Sequence, residues 1–253
     1  MMRPPLPDAF VQRPIAHRAY HDRAAGRPEN SVAAIRAAVA AGYGIEVDLQ
    51  LTRDGHAVVF HDDDLARLTD GTGLVRDKTL AQMQALRLLD SADPVPSFAQ
   101  VLDLVAGRVP LLVELKDQTD TMAPTDGRLE SATATALASY AGPVALMSFN
   151  PHAMVRMAAL APDIPRGLTT SAYDPDSWAP LDPARCAALR AIPDYDRSLS
   201  SFISHEAADL ARPRVAELAA RGAVILCWTI RSPQAEALAR KWAQNVTFEG
   251  YAA

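Results

Sequence analysis

The sequence predicts a closed (β/α)8 barrel of the TIM type with a small insertion after its second strand. Three observations predict it. Short apolar runs alternate with helix-patterned stretches from about Pro14 onward, and no linker or low-complexity segment interrupts them. A chain of 253 residues is the usual size for such a barrel. Charged residues gather at the ends of the expected strands, where a parallel barrel carries its chemistry. One domain over 1–253 is expected, with the insertion at about 62–96.

The elements follow in order. After a Pro-rich leader, Pro14-Ile15-Ala16-His17-Arg18 reads as a short strand with a polar end. Asn30 or Ser31 can cap a helix over 32–41, in which Val32, Ile35 and Val39 recur at helical spacing. Gly42 stops it, and Gly44-Ile45-Glu46-Val47-Asp48-Leu49 opens the second strand of a βαβ unit. Asp54-Gly55 is a tight-turn signal, after which the apolar run 57–60 delivers His61 into Asp62-Asp63-Asp64. The stretch 62–96 then breaks the rhythm. It contains the turn Asp70-Gly71-Thr72-Gly73, helical spacing over 79–89 and the breaker Asp93-Pro94-Val95-Pro96, and it is read as walling the site.

Alternation resumes with helix 97–106, strand 109–115, helix 128–140, strand 144–149, helix 151–160 and strand 166–170. A looser loop holds Tyr173, Asp174 and Trp178. A short helix over 183–188 precedes a strand at about 189–193, while 202–210 fits no pattern well. Helix 213–220, strand 223–230, helix 233–242 and strand 246–248 bring the count near eight repeats.

Composition narrows the function. A net charge of -5 with no block of Lys or Arg speaks against a nucleic-acid surface. Cys186 and Cys227 lie far apart without metal-ligand spacing, and nothing asks for an oxidising compartment. No apolar run resembles a signal peptide or is long enough to span a bilayer. A cytoplasmic protein without stable membrane insertion is expected.

In an extended strand side chains alternate, so Glu46 and Asp48 share one face, as do Glu114 and Lys116 in Glu114-Leu115-Lys116. Two carboxylates on one face of a buried strand need a cation, a shared proton or water. Singly, each acid would read as a solvated residue and each His as structural. A barrel brings His17, Arg18, Glu46, Asp48, His61, Glu114, Lys116 and Trp228 to one mouth. Three acidic oxygen donors suit a hard divalent cation, Mg2+ or Ca2+. Two histidines can supply a base and an acid, and Arg18 with Lys116 can hold an anion.

The set His17-Arg18, Pro28-Glu29-Asn30-Ser31, Glu46-Val47-Asp48, Thr52-Arg53-Asp54-Gly55, His61-Asp62 and Glu114-Leu115-Lys116, with Ser148-Phe149 and Trp228-Thr229 toward the end, resembles the glycerophosphodiester phosphodiesterase family. The resemblance implies hydrolysis of a glycerophosphodiester to glycerol 3-phosphate and an alcohol. It also implies metal ligands at Glu46, Asp48 and Glu114, an acid–base pair in His17 and His61, and phosphate contacts from Arg18 and Lys116. Glu29 would stand at the metal or substrate edge and Trp228 on the substrate side. Three positions depart from the family pattern: Ala19 stands where Gly follows His-Arg, Arg231 replaces a common Asn, and the last strand runs Thr247-Phe248-Glu249 rather than ending Thr-Asp.

Three other readings compete. A lysophospholipase D would use the same site and need an apolar groove, for which Tyr173 and Trp178 are the aromatic candidates. A non-catalytic barrel that binds phosphate esters would be favoured if the catalytic residues were eroded, and all of them are present. A glycosidase would use Glu46 and Asp48 but leave His17, His61 and Lys116 idle. The alcohol, the choice of Mg2+ or Ca2+, attack by water or by a glycerol hydroxyl, and the oligomeric state stay open at this stage.

Overall fold

A computed structural model describes residues 2–253. Its strands in chain order are β1 (Ile15–Ala16), β2 (Gly44–Leu51), β3 (Ala57–Val59), β4 (Leu111–Leu115), β5 (Val144–Ser148), β6 (Arg166–Thr170), β7 (Phe202–Glu206), β8 (Val224–Ile230) and β9 (Asn245–Phe248). All but β3 pair in parallel, and β1 pairs with both β2 and β9, so the sheet closes as an eight-stranded barrel. The exception, β3, folds back antiparallel on β2 through a turn with Gly55 at φ 87°. Such a φ is easy for glycine and costly for a side chain. The expected (β/α)8 architecture is the observed one.

Alternation along the strands sorts the core into two layers. Outward-facing residues such as Ile45, Val47, Val113 and Ile203 pack under the surrounding helices. At the N-terminal end of the barrel, Ile15, Leu112, Phe202 and Leu226 fill the interior, joined by Phe10 from the short helix α1 (Ala9–Gln12). Asn245 pins that helix by donating Nδ2 to the carbonyls of Phe10 and Arg13, at 2.7 and 2.6 Å. Gly167 makes room for the ring of Phe202, since a Cβ there would meet it at 2.4 Å. Apolar filling below leaves the polar residues of the same strands to the upper half of the barrel.

The structure corrects two elements. No strand forms at 189–193: the helix Pro183–Arg190 continues past the expected stop and a 3-10 turn, Pro193–Tyr195, follows it. The strand is instead Phe202–Glu206, whose barrel-facing Ser204 and Glu206 are polar and mask its apolar pattern. The helix expected over 79–89 is only Leu80–Ala85, opened by a reciprocal cap between Thr79 and Gln82 and ended by extended backbone at Leu86.

The segment after β3 builds a small core of its own from Phe60, Leu65, Leu68, Val75, Met83 and Val95. It is tied to the loop that leads from β1 into helix α2 (Val32–Ala41). Arg23 reaches Asp90, and Asp93 accepts from the backbone N–H of Ala33 at 2.8 Å, in the first turn of α2. The segment therefore lies at the C-terminal ends of the strands. No described helix is long and apolar enough to cross a membrane.

Candidate active site

Polar residues from six barrel strands, or from the loops just beyond them, line one cavity of about 160 Å³. His17 and Arg18 come from just beyond β1, Glu46 and Asp48 from β2, Glu114 and Lys116 from β4 and its end, and Trp228 with Arg231 from β8 and its end. His61 arrives from beyond β3. Of the residues that the family resemblance assigned to the site, only Glu29 is absent from the lining.

The register explains the acid cluster. Asp48 stands directly beside Glu114 across the parallel β2–β4 pair, and Glu46 lies two residues below on the same face. One carboxylate oxygen from each of Glu46, Asp48 and Glu114 lies within 4.8 Å of the other two. All three side chains are buried, with residue exposures of 2%, 2% and 6%. Burial drives the Glu46 carboxyl well above its usual range, and the charges of Asp48 and Glu114 reinforce the shift. Burial pushes Asp48 the same way, but Lys116, His61, Arg18 and a hydrogen bond from Asn30 overcome it and hold the group at about 2. The Asn30 amide donates to Asp48 Oδ2 at 2.9 Å, so this residue serves the site as well as leading into α2.

Two cations face the acids. Lys116 Nζ donates to Glu114 Oε1 at 2.9 Å and lies 3.5 Å from Asp48 Oδ1. Burial opposes its charge, yet Glu114 and Asp48 keep its pKa above the ordinary lysine value. Arg18 lies 3.7 Å from Asp48 Oδ2 through Nε, and its backbone N–H donates to Glu46 Oε2 at 2.8 Å. The backbone at Arg18 and Ala19 is left-handed, with φ of 50° and 65°. That conformation turns the chain back over the acids. It is one that glycine adopts without penalty and alanine does not.

Each histidine has a carboxylate on its inner nitrogen. His17 Nδ1 donates to Glu249 Oε2 at 2.6 Å, and His61 Nδ1 donates to Asp62 Oδ1 at 2.6 Å. Both rings are thereby fixed with Nε2 left for chemistry. Burial lowers the pKa of His17, with the Glu249 hydrogen bond opposing it. Glu249 is held ionised well below the carboxylate range by His17 first and His21 next. Asp62 is likewise held low: burial would raise it, but the hydrogen bonds from Arg67 and His61 win.

Glu29 stands behind this layer. It accepts from Arg18 Nη1 at 2.7 Å and from Arg67 at 3.0 and 3.1 Å, and Arg67 in turn grips Asp62. A chain of ionic contacts thus runs Arg18–Glu29–Arg67–Asp62–His61 and joins the β1 loop to the segment after β3. The expected wall is mostly indirect, since His61 is the only residue of 61–96 on the cavity surface.

Sequence reasoning missed Arg67 and Glu249. The signal for Glu249 was present: Asn245, Thr247 and Glu249 alternate along one strand face, so the acid points into the barrel like its two predecessors. Arg67 carries no comparable signal. On the opposite side of the cavity Phe149 meets Trp228 edge to face at 5.5 Å and Trp178 at 5.0 Å. Trp228 Nε1 donates to the carbonyl of Ser204 at 3.0 Å, which fixes the indole against the cavity. Tyr173 is buried in a cluster with Leu181, Cys186 and Leu189, and the apolar cavity it lines with Phe149 and Leu168 holds only about 10 Å³.

Comparison with known proteins agrees with this geometry. The model of the glycerophosphoryl diester phosphodiesterase family matches residues 17–248. A Bacillus subtilis relative provisionally named for that activity is 28% identical over 232 residues, 88% of each chain. The glycerophosphodiester phosphodiesterase of Caldanaerobacter subterraneus is 31% identical over 149 residues, 56% of this chain and 60% of that one. The structure of an Oleispira antarctica phosphodiesterase in complex with the product sn-glycerol-3-phosphate superimposes with a TM-score of 0.73 at 26% identity, covering 95% of this chain and 94% of that one. The chain belongs to the glycerophosphoryl diester phosphodiesterase family, a family of phosphoric diester hydrolases.

Proposed function

We propose that the protein hydrolyses small glycerophosphodiesters to glycerol 3-phosphate and an alcohol, with a divalent cation and two histidines sharing the work. One observation carries the reading: three mutually close buried carboxylates share a cavity with two histidines, each held at Nδ1 by its own acid. The donor set fits a hard cation, Mg2+ or Ca2+. It is all oxygen, and Glu46 is buried with more negative charge around it than the local cations relieve. Glu46, Asp48 and Glu114 would hold the ion, which when bound supplies Lewis-acid stabilisation of charge on the phosphoryl oxygens.

The protein's own groups cover the remaining requirements. Arg18 and Lys116 neutralise and orient the phosphate, Arg18 with a fork of donors and Lys116 as a point charge. His17, which burial favours in its neutral form, takes the proton from the attacking hydroxyl at Nε2. His61, backed by Asp62, gives a proton to the departing alkoxide. The P–O bond to the alcohol breaks as the new P–O bond forms. Where water attacks, glycerol 3-phosphate results at once and the two histidines regain their starting protonation from solvent. Where the neighbouring glycerol hydroxyl attacks, the histidines exchange roles while water opens the resulting cyclic phosphate. A cavity of about 160 Å³ and the burial of Tyr173 favour head-group diesters over the acyl-bearing substrates of a lysophospholipase D.

Leaving-group chemistry tests the two roles. His17→Ala and His61→Ala should each lower turnover about 10²-fold or more on an alkyl diester. A nitrophenyl diester leaves with little need of a proton, so it should partly rescue His61→Ala and leave His17→Ala inactive. Equal rescue of both, or impairment of neither, contradicts the assignment.

A further inference from the structure

The two departures at the ends of β8 and β9 meet in space. Arg231 donates through Nε to Glu249 Oε1 at 2.7 Å, and its Nη2 lies 2.7 Å from the same oxygen. Glu249 gives its other oxygen to His17. The arginine is thus fixed from one side on an acid that the catalytic machinery already anchors. It lines the cavity, but unlike the other cations there it stands at the rim: its side chain is 68% exposed, against 19% for Arg18 and 18% for Lys116. Arg18 and Lys116 are engaged with Glu29, Asp48 and Glu114 around the acid cluster. Arg231 Nη1 donates to no group among the described residues, so the Nη1/Nη2 edge of an exposed, cavity-lining guanidinium is free for a ligand.

We infer that Arg231 is a specificity-determining residue that selects glycerophosphodiesters whose alcohol carries a second anionic group, a carboxylate or a phosphate. The inference rests on the phosphodiesterase reading of the site. With the reacting phosphate held deep by Arg18, Lys116 and the carboxylate-bound cation, one arm of the diester must leave through the mouth past Arg231. A planar guanidinium with a free edge pairs with carboxylate or phosphate through parallel hydrogen bonds. It repels an ammonium in the same place. Glu249 fixes the orientation of Arg231 by accepting from Nε and pairing with Nη2, which leaves Nη1 to meet an anionic group on the ligand.

Matched substrates isolate the effect. Glycerophosphoserine and glycerophosphoethanolamine differ by one carboxylate; phosphorylated and plain glycerophosphoglycerol differ by one phosphate. The ratio of kcat/KM within each pair is measured for the parent, Arg231→Asn and Arg231→Lys. The parent should prefer the anionic member of at least one pair by about three- to fivefold, the upper range for an exposed ion pair of about 1 kcal/mol. The pair that shows it identifies the group recognised. In Arg231→Asn the preference should collapse toward unity, and Arg231→Lys should keep part of it. Disturbance of His17 through Glu249 lowers both members of a pair together and leaves the ratio intact, so the ratio separates recognition from positioning. A parent ratio near one in both pairs, or a preference that survives Arg231→Asn, overturns the inference while leaving the phosphodiesterase reading standing. Hydrolysis of none of the four diesters overturns both.

Discussion

Glu249→Gln keeps the shape of the side chain that holds His17 and removes its charge. The contact is short, 2.6 Å from His17 Nδ1, and the carboxylate is ionised because His17 and His21 stabilise that form. A hydrogen bond to a charged partner contributes about 1.5–3 kcal/mol, and about 1.4 kcal/mol corresponds to a factor of ten. Losing it should lower kcat/KM by roughly 10- to 100-fold. The pH profile carries a second signature. Burial lowers the His17 pKa while the Glu249 bond raises it, so removing the charge leaves burial less opposed. The acidic limb of kcat/KM should therefore move to lower pH as the maximum rate falls. Steady-state rates of glycerol 3-phosphate release across pH check both effects. A rate within twofold of the parent, or a limb displaced to higher pH, would refute a positioning role for Glu249.

Three further outcomes are expected. Asp48→Ala should abolish activity together with the rise in melting temperature that Mg2+ or Ca2+ gives the parent, a stabilisation of about 2.7 kcal/mol at a hundredfold excess over Kd; a normal metal-induced shift in the variant would contradict the ligand assignment. Ala19→Gly should leave Tm within about 2 °C of the parent, because relief of left-handed strain at φ 65°, about 1–2 kcal/mol, is offset by the added chain freedom and the loss of a buried methyl; a fall well beyond that would show that the turn is not strained. His205 is fully buried between Thr170 and Asp209, and burial lowers its pKa below 6.5. Below that pH the unfolded chain takes up a proton that the folded one refuses, so its contribution makes stability fall as pH drops. His205→Gln should flatten that part of the stability–pH curve, with His17 and His152, shifted the same way, accounting for a residual slope.

Much of this site was legible in the sequence because strand alternation is a strict geometric rule. Glu46 and Asp48, or Glu114 and Lys116, can only point together, and closing the barrel makes them converge. The fold was legible where strands carry an unbroken apolar run, Leu111-Leu112-Val113 in β4 and Val144-Ala145-Leu146-Met147 in β5. It was not legible at Phe202–Glu206, where the strand presents Ser204 and Glu206 to the barrel interior and so lacks the apolar run of its neighbours. The stretch 189–193 misled because Leu189 and Ile192 are buried from a helix end and the turn after it rather than from a strand. Glu29 was placed at the site by its motif, but its work is one layer back, on Arg18 and Arg67. Arg67 could not be found by spacing, since its partners Glu29 and Asp62 meet only through the tertiary fold.

The central claim is that the buried acids hold a cation on which diester hydrolysis depends. Its most direct test is glycerol 3-phosphate release from glycerophosphoethanolamine by the purified protein, before and after exhaustive chelation and again after adding back Mg2+ or Ca2+. Release that disappears with chelator and returns with one of the two ions is the predicted result. Undiminished release after the divalent ions have been removed would contradict it.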